Sequence, residues 1–300
     1  MSEPTRRALQ REGGPAASES REEIGRAMLL RWVERPDGRR ELIEIPLTRE
    51  DYLNPQLGDK WVQGRKHGEA IFDLGGRLGY WFHSSPDFLV LFDVQHLLGP
   101  GLPKPCPDVS VIRGARNPDR VDGSYSVVKQ GVPPCLIIEV ISPRDPRIRE
   151  IDEQDKVEIY QRAGVREYLL LELPRKPADR LGIFGYRLDP AGKYQRMVPD
   201  EQGRLLSETT GLWFSIPPEG ERVVIRDVAT GELVPTFLQE GQGRKCAEDK
   251  AAREAEARLA AEAKAATEAE ARQVAEAKAA GAEAELIRLR TEMERLRGGR

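Results

Sequence analysis

Two acidic residues and one lysine are the residues of this chain whose types and order could do chemistry. Asp108 follows Pro107, Glu139 interrupts the apolar run LIIEVI at 136–141, and Lys156 follows both. Glu139 must be protonated, ion-paired or bound to a metal, because an uncompensated carboxylate in such a run is costly. Two carboxylates supply the oxygen ligands that Mg²⁺ or Mn²⁺ accepts, and a lysine can orient a water or offset growing negative charge. This is the minimum set for metal-assisted hydrolysis of a phosphodiester.

Two strands must position the acids. DVSVI at 108–112 is rich in β-branched residues and bounded by proline and glycine, which predicts a strand. LIIEVI at 136–141 is apolar at both parities, which predicts a strand buried on both faces. If the two strands are neighbours, Asp108 and Glu139 converge at the edge of one sheet.

A helix must position the lysine. The apolar spacing after Pro143 predicts a helix that ends near Gly164 and carries Lys156 on the same face as Tyr160. The region 103–172 is therefore predicted to run strand, loop, strand, helix, strand. A structural alternative stays open, in which Asp108 caps a turn, Glu139 pairs with an internal arginine, and Lys156 is a surface charge.

Weaker candidates flank this set. His67 and Glu69 begin a helix that the spacing of Ile71, Leu74 and Leu78 predicts. Either residue could join a site or only cap and pack. Six arginines could hold phosphates or be solvated charges: Arg113, Arg116, Arg120, Arg144, Arg147 and Arg149. The glycines of DLGGRLG at 73–79 do not match a nucleotide-binding loop, so nucleotide-driven chemistry is not indicated.

Composition divides the chain into three parts. Residues 1–23 are polar, charged and rich in Ser, Gly and Pro, which predicts a disordered leader. Residues 24–243 alternate apolar segments with Pro and Gly, as expected of one mixed α/β domain. Residues 244–300 are dominated by Ala, Glu, Lys and Arg, which predicts one long helix.

The predicted long helix has features of a coiled coil. ARLAAEAKAA at 257 recurs as ARQVAEAKAA at 271, two heptads later. An apolar seam at alternating spacings of three and four consists of Ala279, Ala282, Leu286, Leu289, Met293 and Leu296. Such a seam predicts pairing, with a homodimer as the simplest product. A solitary helix stabilised by charged pairs four residues apart is the alternative.

Overall composition limits the classes of function. The chain has 47 basic and 50 acidic residues, so any DNA contact must come from local patches. Three cysteines, Cys106, Cys135 and Cys246, match no zinc or redox spacing and fit a reducing compartment. No apolar run reaches the roughly 20 residues of a membrane helix, and no signal peptide is evident. We therefore expect a soluble, cytoplasmic protein without a membrane partner.

Taken together, the motifs resemble a known family. They are PDVSV at 107–111, P-x-LIIEV-x-SP at 134–143, and the pattern formed by Asp152, Lys156, Tyr160, Gly164, Val165, Glu167 and Tyr168. This combination is similar to the putative restriction endonuclease family of bacteria, a branch of the PD-(D/E)XK superfamily. The likeness runs from PLTREDYL at 46–53 to TGELVPTF at 230–237.

The resemblance implies a restriction-endonuclease-like fold, a mixed β-sheet flanked by helices. It also implies that Asp108 and Glu139 are metal ligands and that Lys156 is the catalytic lysine. In one respect the chain departs from the superfamily pattern, because Ile141 stands where the usual lysine follows the second acid. The resemblance implies that the lysine has migrated to the following helix.

Two functions follow as hypotheses. The first is a Mg²⁺- or Mn²⁺-dependent endonuclease that hydrolyses phosphodiester bonds, with DNA as its partner. The second is a catalytically silent nuclease fold that acts as a binding or scaffold protein through its coiled-coil tail. The acids and the lysine favour the first, and the net charge of −3 favours the second.

Overall fold

The computed structural model describes residues 22–61, 63–121, 123–142, 146–176, 179–218, 220 and 222–297. All but the last two residues of the predicted leader lie outside these ranges. The strands are β1 (Glu23–Glu34), β2 (Arg40–Thr48), β3 (Lys60–Trp61), β4 (Phe88–Phe92), β5 (Gln95–Leu97), β6 (Val109–Arg113), β7 (Ser124–Ser126), β8 (Leu136–Ile141), β9 (Glu167–Glu172), β10 (Gly182–Leu188), β11 (Tyr194–Arg196), β12 (Leu205–Ser207), β13 (Leu212–Ser215) and β14 (Val224–Asp227). The α-helices are α1 (Arg49–Leu53), α2 (Arg65–Phe82), α3 (Val127–Gln130), α4 (Pro146–Glu150), α5 (Lys156–Arg162) and α6 (Phe237–Arg297). A 3₁₀ turn covers Pro118–Arg120, and a π-helical turn covers Ile151–Asp155.

A mixed six-stranded sheet in the order β11-β10-β9-β8-β6-β4 carries the predicted acids. Strand β8 pairs antiparallel with β6 and parallel with β9. All six residues of β8 are buried, as the apolar run predicted. The condition stated from the sequence, that the strand beginning at Asp108 is a neighbour of the strand that carries Glu139, is therefore met. Smaller sheets combine β2-β1-β3, β12-β13-β14 and β5-β7.

Each face of the large sheet carries its own apolar core. On one face, Ile138 and Val140 pack with Leu74 and Leu78 of α2. On the opposite face, Ile137 and other residues pack with Ile159 of α5 and with apolar residues of β1 and α1. Glu139 has the parity of the second face, so its carboxylate is directed toward the α5 side of the sheet. The mixed α/β fold predicted from the sequence is confirmed.

The helical segment after β8 contains a turn that the spacing did not predict. Between α4 and α5, the residues Ile151–Asp155 form one π turn, which is wider than an α turn. Gly164 has a φ of 75°, the left-handed conformation typical of glycine just after a helix. The predicted helix and its end are confirmed, with a π turn in place of regular α-helix at Ile151–Asp155.

The C-terminal helix α6 is 61 residues long and begins at Phe237, ahead of the composition change at 244. The chain divides into two compact units between Phe237 and Leu238. Large apolar side chains of α6 are exposed, among them Leu286, Leu289 and Met293. In the described part of the chain, no helix is long and apolar enough to cross a membrane.

Candidate active site

The two predicted acids lie on adjacent strands. Asp108 directly precedes β6, where Val109 is paired with Ile138 of β8. The backbone N–H of Val140 donates to Asp108 Oδ2 at 2.7 Å, so the carboxylate reaches across to the strand that carries Glu139. Asp108 is 7% exposed and Glu139 is 1% exposed. Because β6 and β8 are paired, both carboxylates lie in the same part of the sheet.

Lys156 is the first residue of α5 and reaches the buried face of the sheet. Its Nζ lies 2.9 Å from Glu139 Oε1 and 2.9 Å from Asp152 Oδ1. The Tyr160 hydroxyl donates to the same Glu139 oxygen at 2.8 Å. Lys156 is only 2% exposed, so the alternative in which it is a surface charge is wrong. Among the described residues, the cationic partner of Glu139 is this lysine and not an arginine.

Two members of the cluster were not predicted as site residues: Asp152, which the sequence showed only as part of the family pattern, and Tyr52. Asp152 is 1% exposed and stands four residues before Lys156, in the π turn. The Tyr52 hydroxyl donates to Asp152 Oδ1 at 3.2 Å, and Lys156 Nζ lies 4.6 Å from the centre of the Tyr52 ring. The Tyr168 hydroxyl donates to the backbone carbonyl of Asp152 at 2.9 Å and holds the turn. The four-residue spacing of Asp152 and Lys156 was the available signal.

The charges in this cluster do not balance. The cluster holds three buried carboxylates, from Asp108, Glu139 and Asp152. One ammonium pairs with the last two, and the imidazole of His67 contacts the first. Burial, together with the charges of the other acids, raises the pKa of Glu139 to about 8 despite its lysine partner. Burial also raises the pKa of Asp152. Because one ammonium is shared by several acids, the cluster should hold an additional proton or bind a cation.

The lysine itself stays charged. Burial alone lowers the pKa of Lys156, but the charges of Asp152 and Glu139 outweigh burial and leave that pKa well above its usual value. A permanently protonated ammonium is a hydrogen-bond donor and a positive charge, and it is a poor base. Lys156 is therefore suited to hold anionic oxygens in place.

The donor chemistry of the cluster fits a divalent cation. In the described part of the chain, the partners of Glu139 are Lys156 and Tyr160, and both bind Oε1, which leaves Oε2 for a ligand. Among those residues, no group of three or more His, Cys, Asp or Glu side chains is arranged to hold a metal ion. Mg²⁺ needs no such group, because it usually binds one or two carboxylates and keeps water or substrate oxygens as its other ligands. Asp108 and Glu139 have the right oxygen donors for this arrangement.

Of the weaker candidates, His67 contacts the cluster and Glu69 does not. His67 is buried and its Nε2 lies 3.3 Å from Asp108 Oδ1, whereas Glu69 is exposed and paired with Arg65. Arg149 forms ion pairs with Glu153 and Glu172, so its charge is already partnered. Arg144 lies outside the described residues.

The fold and the acid–lysine cluster define a protein of the restriction-endonuclease-like class. A model of the Uma2 family, described as putative restriction endonuclease, matches residues 39–219. The chain belongs to this family, as its motifs indicated.

Other comparisons add little. Among solved structures, a putative nuclease of the DUF820 group from Anabaena variabilis is similar to the chain at 16% identity, with 49% of this chain and 78% of that chain covered and a TM-score of 0.33. A similarity of this size supports no argument about activity. No curated protein matches the chain.

Proposed function

We propose that this protein is a metal-dependent endonuclease that hydrolyses phosphodiester bonds in DNA. The observation that carries the proposal is the buried excess of carboxylates over ammonium at Asp108, Glu139, Asp152 and Lys156. Membership of a family described as putative restriction endonuclease supports the same class of reaction and favours DNA as the substrate.

In this proposal, Asp108 and Glu139 hold Mg²⁺ or Mn²⁺. The bound ion would polarise a phosphoryl oxygen and lower the pKa of a water. A divalent cation would also offset the negative charge of the three acids, which the single ammonium of Lys156 cannot do alone. We infer that Asp152 anchors the lysine, because the two are paired at 2.9 Å.

Lys156 has the role of a fixed positive charge. Its contacts with Glu139, Asp152 and Tyr52 leave its side chain little freedom, so the ammonium stays where anionic oxygens of a phosphate would be stabilised. Tyr160 fixes Oε1 of Glu139 by its hydroxyl and so helps to set the direction of Oε2. The residues of the chain thus contribute preorganised charge, which is the main requirement of phosphoryl transfer.

Cleavage assays test the proposal. Supercoiled plasmid, single-stranded DNA and RNA are incubated with the full-length protein with Mg²⁺, with Mn²⁺ and with a chelator. We expect metal-dependent nicking or linearisation of the plasmid. Glu139→Gln is the matched control, since it keeps the shape of the side chain. Cleavage that survives the chelator, or that is equal in the control, would contradict the proposal.

A catalytically silent scaffold is the second candidate. It is favoured by the formal net charge of −3, and by the pairing of Arg149 with acids instead of its presentation to a phosphate backbone. In that case the C-terminal helix α6 would carry the binding function of the protein. Binding of DNA without cleavage under any metal condition would support this candidate.

For the tail, we propose a homodimer through α6. Leu286, Leu289 and Met293 are each about half exposed, and a second copy of the helix would bury them. Two copies would place two sites in one particle, which suits cutting both strands of a duplex. We also propose that the protein works in the cytoplasm, where its DNA substrate would be found. The division into 1–23, 24–243 and 244–300 remains a prediction.

A further inference from the structure

His67 occupies a position that links helix α2 to the acidic cluster. It lies in the first turn of α2 and begins the buried stripe that continues through Ile71, Leu74 and Leu78. The later members of the stripe pack against the sheet, and His67 comes at the end of the helix where the sheet presents Asp108. Helix α2 therefore places the His67 imidazole beside the Asp108 carboxylate. The other residues of the proposed site lie on other elements.

The contact completes the support of the Asp108 carboxylate. The Val140 N–H donates to Oδ2 at 2.7 Å, and His67 Nε2 lies 3.3 Å from Oδ1. A carboxylate oxygen accepts hydrogen bonds, so Nε2 of His67 carries a proton and donates to Oδ1. Two donors from separate elements restrict rotation of the carboxylate, and each oxygen keeps lone-pair capacity for a further ligand.

A second histidine in the same domain shows what a structural role looks like. His96 is fully buried, its Nδ1 lies 2.7 Å from the carbonyl oxygen of Val94, and its Nε2 lies 3.0 Å from Ser110 Oγ. Both of its nitrogens are satisfied within the core. His67 differs, because its buried Nδ1 has no hydrogen-bond partner in the described part of the chain.

A buried nitrogen without a hydrogen bond destabilises the fold, so a histidine with a purely structural role rarely has one. In His67, one ring nitrogen lacks a partner while the other contacts Asp108, a proposed metal ligand. Nδ1 can accept a hydrogen bond from a water when the imidazole is neutral, and donate one when the imidazole is protonated.

We propose that His67 is a positioning residue of the nuclease site and holds the Asp108 carboxylate in the orientation that binds the divalent cation. This inference rests on the proposed function, since it assigns His67 a task in the same site. Groups that orient metal ligands commonly change metal affinity by about 10- to 100-fold when they are removed.

Metal binding tests the inference without relying on cleavage. Mn²⁺ binding to the full-length protein is measured by electron paramagnetic resonance for wild type, His67→Gln and His67→Asn. The amide nitrogen of glutamine extends about as far as Nε2, whereas that of asparagine extends only about as far as Nδ1. We expect His67→Asn to weaken Mn²⁺ binding by about 10- to 100-fold and His67→Gln to stay within a few-fold of wild type. His83→Asn, at the exposed end of α2, is the matched control and should bind like wild type.

The outcomes separate the two proposals. Wild-type Mn²⁺ binding by His67→Asn would overturn the inference, and so would an equal loss in both variants accompanied by an equal fall in melting temperature. If the wild-type protein binds Mn²⁺ and His67→Asn does not, but no nucleic acid is cut, the nuclease proposal fails while the positioning role stands. If the wild-type protein binds no Mn²⁺, the positioning role is wrong as stated.

Discussion

An acidic residue and a lysine stand four residues apart on a helical segment in both parts of this molecule. In the domain, Asp152 and Lys156 stand four residues apart, their charged atoms are 2.9 Å apart, and each side chain is 2% exposed. In the tail, Lys264 and Glu268 stand four residues apart, the distance is 3.9 Å, and the side chains are 80% and 70% exposed. The spacing is identical, and the environment differs completely.

The difference shows that burial, and not spacing, gives a charged pair its consequences. An exposed pair on a helix contributes about 0.3–0.5 kcal/mol, because water and salt screen it. A buried pair has lost its water, so removal of one partner leaves a charge that nothing solvates. The tail therefore carries its charges in water, while the domain buries them in the cluster that is proposed to bind a metal ion.

The largest effect is expected from removing a proposed metal ligand. Glu139→Gln and Asp108→Asn should each lower metal-dependent cleavage by at least about 10,000-fold, as loss of an essential catalytic group does. The fold should persist, since each change preserves shape and relieves repulsion among buried acids. Plasmid cleavage rates and melting temperatures check both points. Glu254→Gln, which alters an exposed tail acid, is the matched control and should cleave like wild type. A wild-type rate in either site variant would remove that residue from the site.

The second effect concerns the lysines of the two pairs. Lys156→Ala should lower the free energy of unfolding by about 3–5 kcal/mol, because Glu139 and Asp152 lose their buried partner. Lys264→Ala should change it by less than about 0.5 kcal/mol. Urea denaturation of both variants measures the difference. Equal midpoints would mean that the two environments do not differ as the structure indicates.

The same lysine variant tests catalysis at temperatures where it remains folded. Lys156→Ala should lower turnover far more than Mn²⁺ affinity, because the ammonium acts on the phosphate and the water and not on the cation. Full activity would show that Lys156 is not the catalytic lysine. The proposed roles of Asp108 and Glu139 could still stand.

The sequence was sufficient for the elements that have a regular pattern. The continuous apolar run predicted β8 and the burial of Glu139, and the spacing of Ile71, Leu74 and Leu78 predicted α2. These predictions succeed because strand and helix periods are local properties of the chain.

The arrangement of the site was only partly predictable. The four-residue spacing of Asp152 and Lys156 allowed the two to pair, but a π turn has no sequence period of its own, so the burial of Asp152 in the core could not be derived. Tyr52 comes from α1, about 100 residues earlier in the chain, and its contact with Asp152 depends on how the sheets pack. Tertiary contacts of this kind are not encoded in any short window.

The third effect compares a buried histidine with an exposed one. Burial lowers the pKa of His96 to about 4, below the value of about 6.5 expected in the unfolded chain. The unfolded state therefore binds more protons in this range, so stability is retained above pH 6.5 and lost as the pH falls toward 4. The loss should approach about 3 kcal/mol. Unfolding measured from pH 7 to pH 4.5 should be less pH-dependent in His96→Asn than in wild type, whereas His83→Asn should match wild type. The same slope in all three proteins would contradict the assignment.

The smallest effect on the stability of the domain, and the clearest on assembly, is expected in the tail. Leu289 lies on the predicted seam. Leu259 is also large and exposed, but the alternating spacing of three and four that defines the seam does not reach position 259. If α6 pairs along the seam, Leu289→Glu should shift the particle toward the monomer, because a carboxylate would be buried against the partner helix. Leu259→Glu should leave assembly unchanged, and both variants should alter domain stability by less than about 0.5 kcal/mol. Light scattering over a concentration series that reaches the order of tens of micromolar measures the mass of each protein. A wild-type chain that is monomeric throughout this range would mean that the exposed charges of α6 stabilise a solitary helix. The tail would then differ from the domain in this respect too, because its helix would be stable without burying apolar side chains against a partner.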